Sequence, residues 1–142
     1  MNIRKAIIED VPHLASLMGQ LGYPVTIEQM TKRFQNIDSH PNYYTLVAEE
    51  NGTVIGMLGI NTGILYNKDG LYARIIAFVV DERYRNRGIG KLLIQEAEIW
   101  AIQQGADAIT LNSGKRSERD TAHQFYKNRG YEAISTGFVK KL

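Results

Sequence analysis

Apolar residues recur along this chain with two different spacings, and the switches between them outline the elements. From Asn2 to Ile7 the positions alternate, as on a half-buried strand. Leu14, Leu17, Met18 and Leu21 then fall three or four apart. This predicts a helix capped by Glu9 or Asp10 and stopped by Gly22-Tyr23-Pro24. Thr26 is placed to cap a second helix from Ile27 to about Ile37, with Glu28 and Gln29 in its first turn. After the loop Ser39-His40-Pro41-Asn42, Tyr43 to Glu49 reads as a strand and Val54 to Ile60 as its return. Asn51-Gly52 between them is a hairpin signal. Asn67-Lys68-Asp69-Gly70 predicts a second turn, and Leu71 to Val80 a third strand. Ile89 to Ile102 returns to helical spacing and ends before Gly105. Ala108 to Leu111 is a short apolar strand, and Arg119 to Arg129 a helix stopped by Gly130. Tyr131 to Leu142 predicts two short strands around Ser135-Thr136-Gly137.

This order predicts one mixed α/β domain over residues 1–142, mostly antiparallel in its first half. The crossover from strand 71–80 through helix 89–102 to strand 108–111 is expected to be parallel and right-handed. The 142 residues suit a single domain with a real core. No apolar run approaches the roughly 18 residues of a membrane span. Met1-Asn2-Ile3-Arg4-Lys5 lacks an apolar core, so no signal peptide is expected and a cytoplasmic location is the default. With no cysteine, disulfides, thiolate catalysis and zinc–cysteine sites are excluded. A net charge of +2 does not suggest general nucleic-acid binding. The basic residues matter by position.

That position is Arg85-Asn86-Arg87-Gly88-Ile89-Gly90-Lys91, between the apolar run Ile75 to Val80 and the helix from Ile89. The first amides of a helix have no partner within it and point outward at the positive end of its dipole. Gly88 and Gly90 let a ligand approach the backbone, and Arg83, Arg85, Arg87 and Lys91 add charge. A phosphate-bearing ligand follows. A Walker loop is excluded, because its first glycine slot holds Arg85 and its hydroxyl slot Leu92. A dinucleotide fingerprint is excluded too, because its third glycine slot holds Leu93. Arg-x-x-Gly-x-Gly remains.

That pattern resembles the acyl-CoA loop of the GNAT superfamily of N-acetyltransferases, Gln/Arg-x-x-Gly-x-Gly/Ala. Ala122-x-x-Phe125-Tyr126-x-x-x-Gly130-Tyr131 resembles a second pattern of that family, and the element order resembles its fold over nearly the whole chain. The resemblance implies a mixed central sheet of about six to seven strands flanked by about four helices. It implies acetyl-CoA as cosubstrate, held by Arg85, Asn86, Arg87, Gly88, Ile89, Gly90 and Lys91. The backbone of Phe78, Val79 and Val80 is expected to pair with the pantetheine arm, with one amide polarising the thioester carbonyl. Tyr126 is expected to protonate the departing thiolate, since a phenol of pKa about 10 holds its proton at neutral pH.

Two positions depart from the family. Arg119 stands where many members carry an Asn that helps hold the CoA arm, and Arg74 where many carry a Glu that acts as base. The base therefore stays open between Asp81, Glu82, Glu49 and a relay through water. Asn112 and Ser113 either line the acceptor pocket or begin a polar loop. Tyr23, Tyr43, Tyr44, Tyr66 and Tyr72 are either acceptor-site or half-buried strand residues. His13, His40 and His123 lack ligand spacing, so no metal is expected. The chain is thus expected to be an acetyl-CoA-dependent N-acetyltransferase acting on a small-molecule primary amine, without nucleic-acid or membrane partners. A protein lysine or N-terminal acetyltransferase, a non-catalytic CoA sensor and a homodimer remain open alternatives.

Overall fold

The computed structural model describes residues 1–112 and 120–142. Five strands form one sheet in the order β1-β2-β3-β4-β5. They are β1 Asn2–Lys5, β2 Tyr43–Glu50, β3 Thr53–Ile64, β4 Leu71–Val80 and β5 Ala106–Leu111. The first four pair antiparallel in sequence. The helices are α1 Val11–Leu21, α2 Ile27–Asp38, α3 Ile89–Gln103 and α4 Asp120–Asn128. By contact density the chain divides into two units, Met1–Thr110 and Leu111–Leu142.

Local chemistry sets the boundaries. The Thr26 hydroxyl accepts from the Gln29 amide at 3.0 Å, and Gln29 returns a bond to the Thr26 amide at 3.1 Å. This reciprocal cap satisfies two donors that the helix cannot. Asn51 and Gly52 take φ of 51° and 79°, the pair of left-handed residues that a two-residue hairpin needs. β3 runs on to Ile64, beyond the expected Ile60, because β4 completes its ladder as far as Ile64 opposite Leu71.

In the first unit the sheet is covered on both sides. Leu14 and Leu17 of α1 and Met30 and Phe34 of α2 share a core with Val47, Met57 and Val79 of the sheet. On α3, Ile89, Leu93, Ile94, Ala97 and Trp100 are buried. Each buried leucine or isoleucine there contributes about 1.5–3 kcal/mol by leaving water. A Cβ at Gly56 of β3 would stand 3.1 Å from Leu93 and 3.5 Å from Ile89. Glycine there lets the first turn of α3 sit directly on the sheet. Trp100 further along α3 stacks on Tyr44 of β2, centroids 5.3 Å apart and planes 10° apart. Arg4 ties β1 to its neighbours, bonding Asp10 at 2.8 and 2.9 Å and Glu49 at 2.7 Å.

The second unit holds α4, and the chain turns two residues beyond its end at Gly130, with φ 87°. The sheet has five strands among the described residues, rather than six to seven, because the two short strands expected over 131–142 are not formed. A strand persists only where a partner completes its ladder and burial repays its ordering. Ile134, Phe138, Val139 and Leu142 all remain exposed.

Candidate active site

β4 turns into α3 through residues 81–88, and local bonds fix the shape of that turn. The Asp81 amide donates to Ile55 O at 2.8 Å, one step beyond the end of β4. The Asp81 carboxylate is buried and accepts from the Arg83 amide at 2.9 Å and the Arg83 guanidinium at 3.2 and 3.0 Å. The Arg83 guanidinium outweighs the cost of burial and lowers the Asp81 pKa to about 2. Gln20 Oε1, in the last turn of α1, accepts from the Glu82 amide at 2.9 Å. The Tyr84 ring faces two cations, Arg83 at 5.9 Å and Arg87 at 5.3 Å. Arg85 Nε donates to Val80 O at 3.3 Å, and Arg87 Nη2 to Glu50 Oε1 at 3.0 Å.

The turn closes on Asn86 and Gly88, with φ of 64° and 78°. Left-handed backbone is cheap for Gly and tolerable for Asn. Gly88 caps α3 without a side chain, and no atom lies within 4 Å of where its Cβ would stand. The first bond of the helix runs from Leu92 N–H to Gly88 O at 3.2 Å. The amides of Ile89, Gly90 and Lys91 come before that bond, and no side chain caps them. Arg85, Asn86, Arg87 and Lys91 are exposed around them. Outward amides, a helix dipole and a cationic rim together attract an anion.

The neighbouring end of β4 is regular. Val79 is buried in the core under α1 and α2, while Phe78 and Val80 are half-buried and pair with Leu58 and Gly56. Upstream, the register shifts between Gly59 and Ile60, which leaves Ile76 as a bulged residue without a partner on β3.

Tyr126 lies in the second unit, half-buried on α4. Its ring meets Phe125 edge-on at 5.6 Å and Tyr131 at 6.2 Å. Its carbonyl accepts from the Arg129 and Tyr131 amides at 3.0 and 3.1 Å, and so closes the helix end at Gly130. Tyr131 follows Gly130 directly, and the turn brings its ring back to Tyr126.

The candidate bases fare unequally. Asp81 is a poor base, because its oxygens are occupied and its pKa is held low. Glu49 is committed to Arg4. Glu82 is exposed. His40 Nδ1 lies 2.7 Å from Asn36 O. Asn112 is exposed, and Ser113 and Arg119 lie outside the described residues. Among the described residues no three His, Cys, Asp or Glu side chains gather as a metal would require. No described helix is long and apolar enough to cross a membrane. The role of Gln20 left no trace in the sequence, because its partner is 62 residues away.

Compared with models of known families, residues 12–131 match the Acetyltransferase (GNAT) family. The chain belongs to this family. Among curated proteins, this GNAT acetyltransferase chain is 31% identical over 102 residues to an aminoalkylphosphonate N-acetyltransferase of Salmonella typhimurium. That match covers 72% of this chain and 65% of the relative. It is also 31% identical to an uncharacterized N-acetyltransferase, YhfO, of Bacillus subtilis, over 98% of this chain and 94% of the relative. Among solved structures, a GNAT family acetyltransferase of Staphylococcus aureus superposes with a TM-score of 0.85. It shares 31% identity and covers 99% of this chain and 98% of its own.

Proposed function

We propose that the 142 residues act as one cytoplasmic catalytic domain that transfers an acetyl group from acetyl-CoA to a primary amine on a small molecule. The observation that carries this is the start of α3. Uncapped amides at Ile89, Gly90 and Lys91 stand in an open, cation-rimmed turn. The pyrophosphate of CoA is an anion of the kind such a turn attracts. The name of the Salmonella relative adds support for a small amine as acceptor.

In this proposal the turn from Arg85 to Lys91 holds the pyrophosphate, and the backbone of Phe78, Val79 and Val80 aligns the pantetheine arm. The amine nitrogen attacks the thioester carbonyl carbon, forming the C–N bond. A β4 amide stabilises the oxygen that gains charge. As the C–S bond breaks, the Tyr126 phenol gives its proton to sulfur. The proton lost by the amine leaves to Glu82 or through water, because Asp81 is too weak a base to take it and Glu49 is held by Arg4. Solvent restores the phenol.

Calorimetric titration with CoA, followed by thiol release from acetyl-CoA over a panel of amines, tests this. Binding together with amine-dependent release is the expected result. Release only with lysine peptides would make the protein a protein acetyltransferase. Binding without release from any acceptor would make it a CoA sensor. No binding would remove the proposal.

A further inference from the structure

Between α1, α2 and the sheet lies a partly open cavity of about 190 Å³. Its walls are mainly apolar, with Met18 from α1, Met30 and Phe34 from α2, and Met57 from β3. The space exists because two facing positions on the sheet are small. Gly59 and Ala77 both line it, and a Cβ at Gly59 would stand 3.7 Å from that of Ala77. The bulged Ile76 lines it too. No lining residue is acidic, and one, Arg33, is charged. Arg33 is exposed and makes no ion pair or hydrogen bond among the described residues.

Position argues for a role in acceptor binding. Ala77 is three residues from Val80, about 10 Å along a strand. The cavity thus begins on the same strand whose far end is proposed to hold the thioester. Size argues for a class. An apolar cavity of about 150 Å³ is enough to hold benzene. A space of 190 Å³ takes one ring or a compact branched chain. A sugar or polyol would leave its hydroxyls without partners there, since the walls offer few polar groups.

We infer that the acceptor is a primary amine on a compact apolar body, seated in the cavity between α1, α2 and β4, with an anionic group at its far end facing Arg33. This inference rests on the proposed acetyl transfer. The amine end lies toward β4 and the anionic end toward α2. Electrostatics favours that polarity, because an anion at Arg33 keeps the single cation away from a nitrogen that must be uncharged to attack.

Three probes separate the parts: ethanolamine, benzylamine and 4-(aminomethyl)benzoate. With acetyl-CoA, kcat/KM should rise at least about tenfold from ethanolamine to benzylamine, as burial of a ring implies. It should rise a further roughly threefold with the carboxylate, the scale of an exposed charge pair. Gly59→Val should fill the cavity and bring the benzylamine-to-ethanolamine ratio near one. A Cβ there meets only ordinary contacts, and circular dichroism checks the fold. Arg33→Gln should abolish only the carboxylate step. Equal turnover of ethanolamine and benzylamine, or an unchanged ratio in Gly59→Val, overturns the inference while the acetyl transfer stands. Ligand-observed NMR of 4-(aminomethyl)benzoate with the CoA-saturated protein gives an arm that needs no turnover. Binding lost in Gly59→Val supports the cavity even if no amine is acetylated, an outcome that would sink the proposed function alone. Binding unaffected by Gly59→Val, or none in the wild type, overturns the inference.

Discussion

The turn that opens α3 and the cavity under α2 both adjoin β4, but they are made of different material. The turn offers backbone: three consecutive amides, placed by two left-handed residues and pinned by Asp81 and Gln20. The cavity offers side chains drawn from five elements between Leu14 and Ala77. A site made of backbone tolerates many side chains and leaves a short local pattern in the sequence. A site made of converging side chains changes its preference with single substitutions and leaves no local pattern.

The proposed acid belongs to neither, so its loss should separate chemistry from both kinds of binding. Tyr126→Phe should lower kcat by roughly tenfold to a thousandfold, a decade below the usual range because a thiolate leaves readily. CoA affinity should stay within a few-fold, as the ring still packs on Phe125 and Tyr131. Steady-state kinetics on one responsive amine checks this, and the wild-type rate in the variant would make Tyr126 a packing residue.

Gly90→Val attacks the backbone site. A branched side chain at the second residue of α3 crowds the approach to the amides, and CoA affinity should fall at least about tenfold. The preference among amines should not change, because the cavity is built elsewhere. A variant that keeps its CoA affinity by calorimetry would remove the turn from the cofactor site.

The charges around the turn should have a smaller effect. Raising salt from about 50 to about 300 mM should weaken CoA binding several-fold, with little effect on pantetheine, which lacks the phosphates. Equal salt dependence for the two would mean that Arg85, Arg87 and Lys91 do not face them.

The mildest prediction concerns the pin itself. The folded-state pKa of Asp81, about 2, lies below the ordinary carboxylate value. Its contribution to stability is therefore present above about pH 4 and lost as pH falls toward about 2. Asp10 shifts in the same direction; burial opposes the shift, but the Arg4 guanidinium and the Ile7 amide outweigh it. Thermal unfolding across this range should show a shallower acid decline in Asp81→Asn than in the wild type. Parallel curves would mean that the Arg83 contact stabilises nothing.

Features set by neighbours in the chain were legible. Thr26 with Gln29, Asn51 with Gly52, and the glycine turn into α3 at Gly88 each act within four residues, and the structure has these turns and caps where the sequence places them. β4 matched from Leu71 to Val80, because an apolar run between turn signals is unambiguous. Features that depend on distant partners were not legible. The extension of β3 needed β4 opposite it, and the bulge at Ile76 appears only in the pairing register. The tail from Tyr131 has residues fit for strands but no partner strand among the described residues. The cavity depends on two small residues, Gly59 and Ala77, that are far apart in the chain and adjacent on the sheet.

The stack of Trp100 on Tyr44 has an optical consequence. Trp100 is the chain's one tryptophan, so the long-wavelength fluorescence of the protein has a single source. That indole is 9% exposed and lies against the Tyr44 ring on the α3 side of the sheet. Its emission should be blue-shifted in the folded state and move to the red on denaturation. Because the label is native, folding of every variant named above can be followed by intrinsic emission at micromolar concentration without attaching a dye.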